Sequence, residues 1–372
     1  MIDRISILGT GLIGGSLGLA WQERRPACTI VGHDRPEVLD AAEERGAIDE
    51  KAADPITAVE GADLVVVATP LATILKLLDT IAEHVPEGAF VTDVGSVKQP
   101  VLDQAADVLP DHVHFLGGHP MAGAEEAGID HADPLMFENA VYALCLPPGQ
   151  DPEALEGPFA PLVDVIETTG ARPLPLSPDR HDRLVAAVSH LPQLLAVALV
   201  NTVAESDEAT TAANLPLTLA GGGFRDMTRI AASPFDMWRD VLVGNETAIH
   251  DAMSQFRRTL RGLRNRLIED DLDGLEDAFT DAREARNAVP GDSKGFLRPL
   301  ADVYVRVPDE PGVIHDLTGH LLDAGLNVKD IELQKIREGT GGTFRLAFAD
   351  ADAAEEAVTA LRSADYDAWR PE

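Results

Sequence analysis

A chain of 372 residues exceeds what one ordinary core supports and predicts two or three domains. Apolar residues make up 45%, enough for well-formed cores, while 63 acidic against 30 basic residues leave a net charge of −33. A surface of that sign repels phosphates and excludes nucleic-acid partners. No run of about 18 apolar residues offers a membrane span, and Cys28 and Cys145 lack metal-ligand spacing, so neither a membrane nor a metal partner is expected.

The N-terminus has no basic leader and enters a strand at once, Ile5-Ser6-Ile7-Leu8, which with the scarce cysteines predicts a reduced, cytoplasmic protein. Gly9-Thr10-Gly11-Leu12-Ile13-Gly14 follows, then a helical stretch through Leu19 and Trp21. A second strand, Thr29–Gly32, ends at His33-Asp34, and Glu37 to Arg45 has helical spacing. The continuous apolar run Leu64–Ala68 is a buried strand stopped by Thr69-Pro70, with a helix over Leu71–Ile81. Phe90–Val94 is the next strand, followed by Gly95-Ser96-Val97-Lys98 and another helix. Strands alternating with helices predict an α/β, doubly wound parallel sheet, a Rossmann arrangement, continuing through Ala140–Leu144 and a helix around Leu162–Ile166 to about residue 175.

Between strand and helix, Gly9-x-Gly11-x-x-Gly14 is a dinucleotide fingerprint. Gly9 makes the tight turn, Gly11 lets a pyrophosphate approach the backbone, and Gly14 lets helix and strand pack closely. Leu12 and Ile13 open the helix whose N-terminus faces the phosphates. Asp34 stands where an acid accepts hydrogen bonds from the adenosine ribose and repels a 2′-phosphate, favouring NAD over NADP, with Arg35 beside it and Thr69 at the end of a neighbouring strand. Gly117-Gly118-His119-Pro120-Met121-Ala122-Gly123 places His119 in a glycine-bounded loop after the strand-like Val113–Leu116. A histidine beyond the carboxyl end of such a strand can take a proton while a hydride leaves the same substrate.

From Asp179 to about Val289 the pattern turns helical, with Leu184, Val188, Leu191, Leu194, Leu195 and Ala198 on one period and Gly221-Gly222-Gly223 as a break. Further helices are expected at Asp236–Leu267 and Leu272–Arg286. After Pro290-Gly291-Asp292 a strand (Val303–Val307), helix (Val313–Leu322), two strands (Val328–Ile336, Phe344–Phe348), helix (Ala353–Leu361) and strand (Tyr366–Trp369) give a βαββαβ ferredoxin-like order. The expected domains are therefore 1–175, 176–290 and 297–372.

Six motifs occur in order: Gly11–Ser16, Asp93–Lys98, Gly118–Gly123, Ser189–Gln193, Gly221–Arg229 and Met237–Asp240. Together they resemble the prephenate dehydrogenases of tyrosine biosynthesis, over residues 1 to about 290. The resemblance implies NAD-dependent oxidative decarboxylation of prephenate to 4-hydroxyphenylpyruvate. It makes His119 the base for the ring hydroxyl and Ser96 a second contact to that hydroxyl near the nicotinamide. Arg229 becomes the anchor for a substrate carboxylate, oriented by Asp226, with His190, Glu125, Trp238 and Gly222 around the pocket. Arogenate, which differs in its side chain, fits the same chemistry. A β-hydroxyacid dehydrogenase fits less well, because it uses a lysine from the helical region and no lysine lies between Lys98 and Lys294. A non-catalytic sensor of NAD and amino acids is the reading from another class, opposed by the intact His119, Ser96 and Arg229. Val307–Ile314 followed by Leu321, Gly325 and Asn327 resembles an ACT domain, implying tyrosine as effector near Asp309, Gly312 and Asn327. A homodimer through the helical region, and a tetramer through ACT pairing, complete the expectation.

Overall fold

The computed structural model describes residues 2–123, 126–147, 149–205, 215–288, 300–337 and 341–371. They fall into two compact units, Met1–Leu272 and Asp273–Glu372, so the nucleotide-type and helical parts that the sequence separates share one body.

The first unit opens with β1 (Arg4–Leu8), α1 (Leu12–Arg24), β2 (Thr29–His33), α2 (Pro36–Glu44), β3 (Glu50–Lys51), α3 (Pro55–Val59), β4 (Leu64–Val67), α4 (Leu71–Ile81), β5 (Phe90–Asp93) and α5 (Gln99–Val108). It continues with β6 (His114–Pro120), β7 (Val141–Cys145), α6 (Ala160–Glu167) and β8 (Arg172–Leu176). The strands form one sheet in the order β3-β2-β1-β4-β5-β6-β7-β8. The direction of winding changes between β1 and β4, and their carboxyl ends open the crevice where such sheets take ligands. All four residues of β4 are buried, as expected of a central strand covered on both faces. Apolar side chains fill both sides: Ile5, Ile7, Leu17, Trp21 and Ile30 on one, Leu8, Val65, Val67, Ile74 and Leu78 on the other.

Two features correct the sequence reading. The sheet is not wholly parallel, because β6 and β7 pair antiparallel. And Gly117–Pro120 is not loop: β6 runs through it, with Gly118 opposite Leu144 and His119 opposite Ala143. The glycines serve a close approach within the sheet, since a Cβ on Gly118 would lie 2.4 Å from the Asp93 carbonyl oxygen.

Helices α7 (Pro178–Val185) and α8 (Leu191–Ala204) are joined by a π-helical turn, Ala186–His190. Pro192 explains the widening: it has no N–H for the carbonyl four residues back, and its ring crowds that carbonyl. Pro178–Ala204 is thus one 27-residue apolar helix, long enough by composition to cross a membrane, a feature the sequence reading missed. Its polar residues His181 and Asp182 are bonded into β6 and the start of α5, so it packs as part of this unit. Then come α9 (Leu215–Thr218), α10 (Gly222–Thr228), α11 (Phe235–Gly244) and α12 (Glu246–Ile268). The triple glycine is a helix start, with Gly221 as N-cap of α10.

The second unit holds α13 (Leu272–Asn287), apart from its first residue, followed by β9 (Ala301–Val307), α14 (Val313–Asp323), β10 (Asp330–Arg337), β11 (Gly341–Phe348), α15 (Ala351–Ser363) and β12 (Asp367–Trp369). The sheet order β10-β11-β9-β12 is that of a ferredoxin-like domain. Its core is Val303, Val305, Leu317, Leu321, Leu346, Phe348 and Leu361.

Candidate active site

The nucleotide end of the crevice is built around Gly9, whose φ of +101° sets the turn leaving β1. A Cβ on Gly14 would sit 1.9 Å from the Gly9 carbonyl oxygen, so only glycine allows α1 to start this close to the strand. Over Gly11 the space is open, and no side chain caps the N-terminus of α1 that begins at Leu12 and Ile13. An open helix start beside a bare backbone fits a pyrophosphate. Asp34, at the end of β2, accepts from the Thr10 N–H (2.8 Å) and the Arg35 N–H (2.7 Å), which fixes its carboxylate beside the Gly9–Gly11 turn. Arg35 is the N-cap of α2 and points largely into solvent, 3.9 Å from that carboxylate. Thr69, at the end of β4, packs its methyl where a Cβ on Gly9 would be, and its hydroxyl has no partner among the described residues. The donor set fits NAD.

The residues expected at the reacting end lie at β5 and β6. Asp93 closes β5 and is fully buried with Lys98, whose ammonium bonds the Asp93 carboxylate and the Gly118 carbonyl (2.6 Å). Asp93 also accepts from the Gly95 N–H (2.8 Å) and the Gly118 N–H (3.2 Å). One ion pair thereby clamps the segment that carries Ser96 to the strand that carries His119. Ser96 is half-buried and does not cap α5, whose N-cap is Lys98.

His119 Nδ1 lies 2.8 Å from His181 Nε2, and His181 Nδ1 lies 2.8 Å from Asp182 Oδ1. Asp182 also accepts the Lys98 and Gln99 N–H groups at 2.8 Å each, at the N-terminus of α5. These contacts fix tautomers. A carboxylate only accepts, so His181 Nδ1 donates to it. With a neutral ring, His181 Nε2 accepts from His119 Nδ1–H, and His119 Nε2 keeps a lone pair. Burial, then the Lys98 ammonium and the two neighbouring histidines, hold His119 well below the ordinary histidine range.

His190 closes the π-turn, fully buried, and burial pushes it down to about 4. Asn245 Nδ2 donates to its Nδ1 (3.2 Å) and to the Asp182 carbonyl (2.8 Å), which leaves His190 Nε2 as a donor. Trp238, on α11, meets the His190 ring edge-on at 6.0 Å between centroids. The N-terminus of α4 holds α11 through Asp240, which accepts the Ala72 N–H at 3.1 Å. Asp226 lies near the end of α10, Gly222 at its start, and Arg229 on the 3₁₀ turn that follows. That turn is tied to the helix of His190 by Gln193 Nε2, which donates to the Ile230 carbonyl at 3.0 Å. Glu125 lies outside the described residues. In the second unit Gly312 caps α14 with φ +93°, while Asp309 precedes this turn and Asn327 is exposed beyond the helix. Sequence reasoning missed Lys98 as a buried clamp, His181, Asp182 and Asn245. The one signal was His181-Asp182, an adjacent pair at the start of an otherwise apolar helix.

Comparison with known proteins identifies the family. Residues 17–173 match the family model described as prephenate dehydrogenase, nucleotide-binding domain, residues 177–281 the prephenate dehydrogenase dimerization domain, and residues 301–365 the ACT domain. The prephenate dehydrogenase of Bacillus subtilis is 36% identical, over 99% of this chain and 98% of its own. The structure of prephenate dehydrogenase from A. aeolicus, in complex with hydroxyphenyl propionate and NAD+, superposes with a TM-score of 0.70 at 28% identity, over 78% of this chain and 99% of that one. Synechocystis arogenate dehydrogenase gives 0.67 at 30% identity, over 76% and 99%. A Rossmann sheet with a helical region and an ACT module, matched along nearly the whole length, place the chain in the prephenate dehydrogenase family.

Proposed function

We propose that the chain catalyses NAD-dependent oxidative decarboxylation of prephenate to 4-hydroxyphenylpyruvate, with His119 as the base. The observation that carries this is the contact of His119 Nδ1 with His181 Nε2, itself bonded to Asp182, which assigns the acceptor role to His119 Nε2 at the carboxyl end of β6. Bound NAD supplies the hydride acceptor. His119 Nε2 takes the ring-hydroxyl proton as the carbinol carbon is oxidised, and Ser96 steadies the same oxygen. The resulting carbonyl is conjugated to the carbon bearing the carboxylate, so carbon dioxide leaves as the ring becomes aromatic. Arg229 grips a substrate carboxylate through paired hydrogen bonds, with Asp226 orienting it. His190 donates from Nε2, and Trp238, Gly222 and Glu125 complete the pocket wall. Prephenate-dependent NADH formation, with a specificity constant above that for arogenate, tests the reading; a preference for arogenate would reassign the substrate. Arg229→Ala should raise the Michaelis constant for prephenate by at least about tenfold, with a smaller effect on kcat. An unchanged constant would remove Arg229 as an anchor.

The helical region exposes Val188, Met227, Phe235 and Val243, an apolar surface suited to a second copy in a homodimer, and ACT pairing would extend it to a tetramer. Buried unpaired Cys28 and Cys145 suit a reducing cytoplasm. L-tyrosine is the effector of the ACT module in this reading, its carboxylate at the turn from Asp309 to Gly312 and its amino group beside Asn327. Asn327→Ala should weaken tyrosine inhibition roughly tenfold at unchanged uninhibited kcat. Inhibition as strong as before would place the effector elsewhere.

A further inference from the structure

His119 faces a physical problem as a base. Its ring is largely desolvated, and the nearest full positive charge is Lys98, clamped to the adjacent Gly118 carbonyl. An imidazolium on His119 is therefore disfavoured, yet the reaction delivers a proton there. Asp93 is bonded to Lys98 and to the Gly95 and Gly118 N–H groups and not to His119, so it cannot take up a proton delivered there. The only other carboxylate bonded into the cluster among the described residues is Asp182, and it is reached through His181.

We propose that His119, His181 and Asp182 form a proton relay in which the charge produced by catalysis comes to rest on His181. As the substrate O–H breaks and the His119 Nε2–H bond forms, the His119 Nδ1–H bond breaks and the proton passes to His181 Nε2. His119 remains neutral throughout. His181 becomes an imidazolium with Nδ1–H on Asp182, so the positive charge faces a carboxylate and lies one ring farther from Lys98. The electron pair of the substrate C–H bond leaves as hydride to NAD, so the transfers balance. This rests on His119 being the base.

The surroundings of His181 suit the role. The buried Lys98–Asp93 pair belongs to the β5–α5 segment whose N–H groups bond Asp182, and His190 from the π-turn is held neutral by burial. Cys145 on β7 is a thiol pushed up to about 12 by burial. Asp182 is thus the uncompensated charge in contact with His181. Asp182 lines an open cleft of about 480 Å³ together with Gln99, Asp103, Asp179, Arg183 and Glu246. In the relay that cleft is the stored proton's route to solvent. His181 is a positioning and proton-storing residue and not a substrate contact.

Two measurements test this. In ligand-free protein labelled with ¹⁵N-histidine, His119 should be protonated at Nδ1 and bare at Nε2, with His181 protonated at Nδ1. A protonated His119 Nε2 would overturn the relay whatever the substrate proves to be. Next, His181→Gln keeps an acceptor for His119 Nδ1–H but cannot take up a proton, and His181→Phe does neither. Turnover should fall in the order wild type, Gln, Phe, on the order of 10²-fold for Phe, with Michaelis constants for prephenate and NAD preserved. The acid limb of kcat/KM should move to lower pH in both variants, because a proton delivered to His119 then has no place beside Asp182. An unmoved limb, or equal turnover, would leave His181 a packing residue only. Should His181→Phe fail to fold, the Gln variant and the tautomer measurement still decide. Loss of activity in His119→Asn with an unmoved limb in His181→Gln would sink the relay and spare the base.

Discussion

His119→Asn is expected to lower kcat by at least about 10³-fold, the span a positioned general base contributes. The affinity for NAD should be unchanged. Asparagine is smaller than histidine, retains hydrogen-bonding groups for His181, and sits opposite Ala143 in a strand that Gly118, Lys98 and Asp93 already hold. The fold should survive, and the loss then reports the missing proton acceptor. The proposed nucleotide residues Gly9, Gly11, Gly14 and Asp34 lie beyond β1, at the start of α1 and beyond β2, with β1 two strands and β2 three strands from β5, so NADH binding followed by fluorescence separates the two functions. Turnover near that of the wild type would mean that the hydroxyl proton leaves by another route, with Ser96 and water as the remaining groups.

The difference between what the sequence disclosed and what it hid follows the distance along the chain over which each feature is built. Gly9, Gly11 and Gly14 occupy one turn, and their roles depend on local backbone conformation, so spacing alone is informative; the structure adds the reason, a 1.9 Å approach that forbids any side chain on Gly14. The alternation of strand and helix survives for the same cause, being a repeated local period. The direction of β7 did not, because nothing in Val141–Cys145 encodes which neighbour it will meet. His119 was legible as a histidine at the carboxyl end of a strand, but Gly117-Gly118 looked like a loop, since sequence cannot distinguish a glycine needed for a turn from one needed beneath a neighbouring carbonyl. His181 and Asp182 stand more than one domain element away from His119 and are joined to it only by packing α7 against β6 and α5. Lys98 was visible as a member of a motif and invisible as a buried charge, because its burial is created by β6 closing over it.

Lys98→Met should be the most destabilising single change near the site. Lys98 and Asp93 are both wholly buried, and removing the ammonium leaves the carboxylate without its cation, with only the Gly95 and Gly118 N–H groups to stabilise it. Breaking a buried pair in this way costs about 3–5 kcal/mol, a fall in thermal midpoint on the order of 10 °C for a unit of this size. The double variant Lys98→Met, Asp93→Asn removes both charges while keeping an oxygen for the Gly95 N–H, and should recover part of the loss, as expected when the penalty is the orphaned charge and not lost packing. Kinetics of the folded fraction add a second sign. With the ammonium gone, an imidazolium on His119 is less disfavoured, so the acid limb of kcat/KM should rise to higher pH, opposite to the shift expected for His181→Gln. A single variant that melts like the wild type would show that the pair contributes no stability. A limb that falls, or stays in place, would show that Lys98 acts on His119 only by holding the Gly118 carbonyl, and that the field of its charge is spent on Asp93.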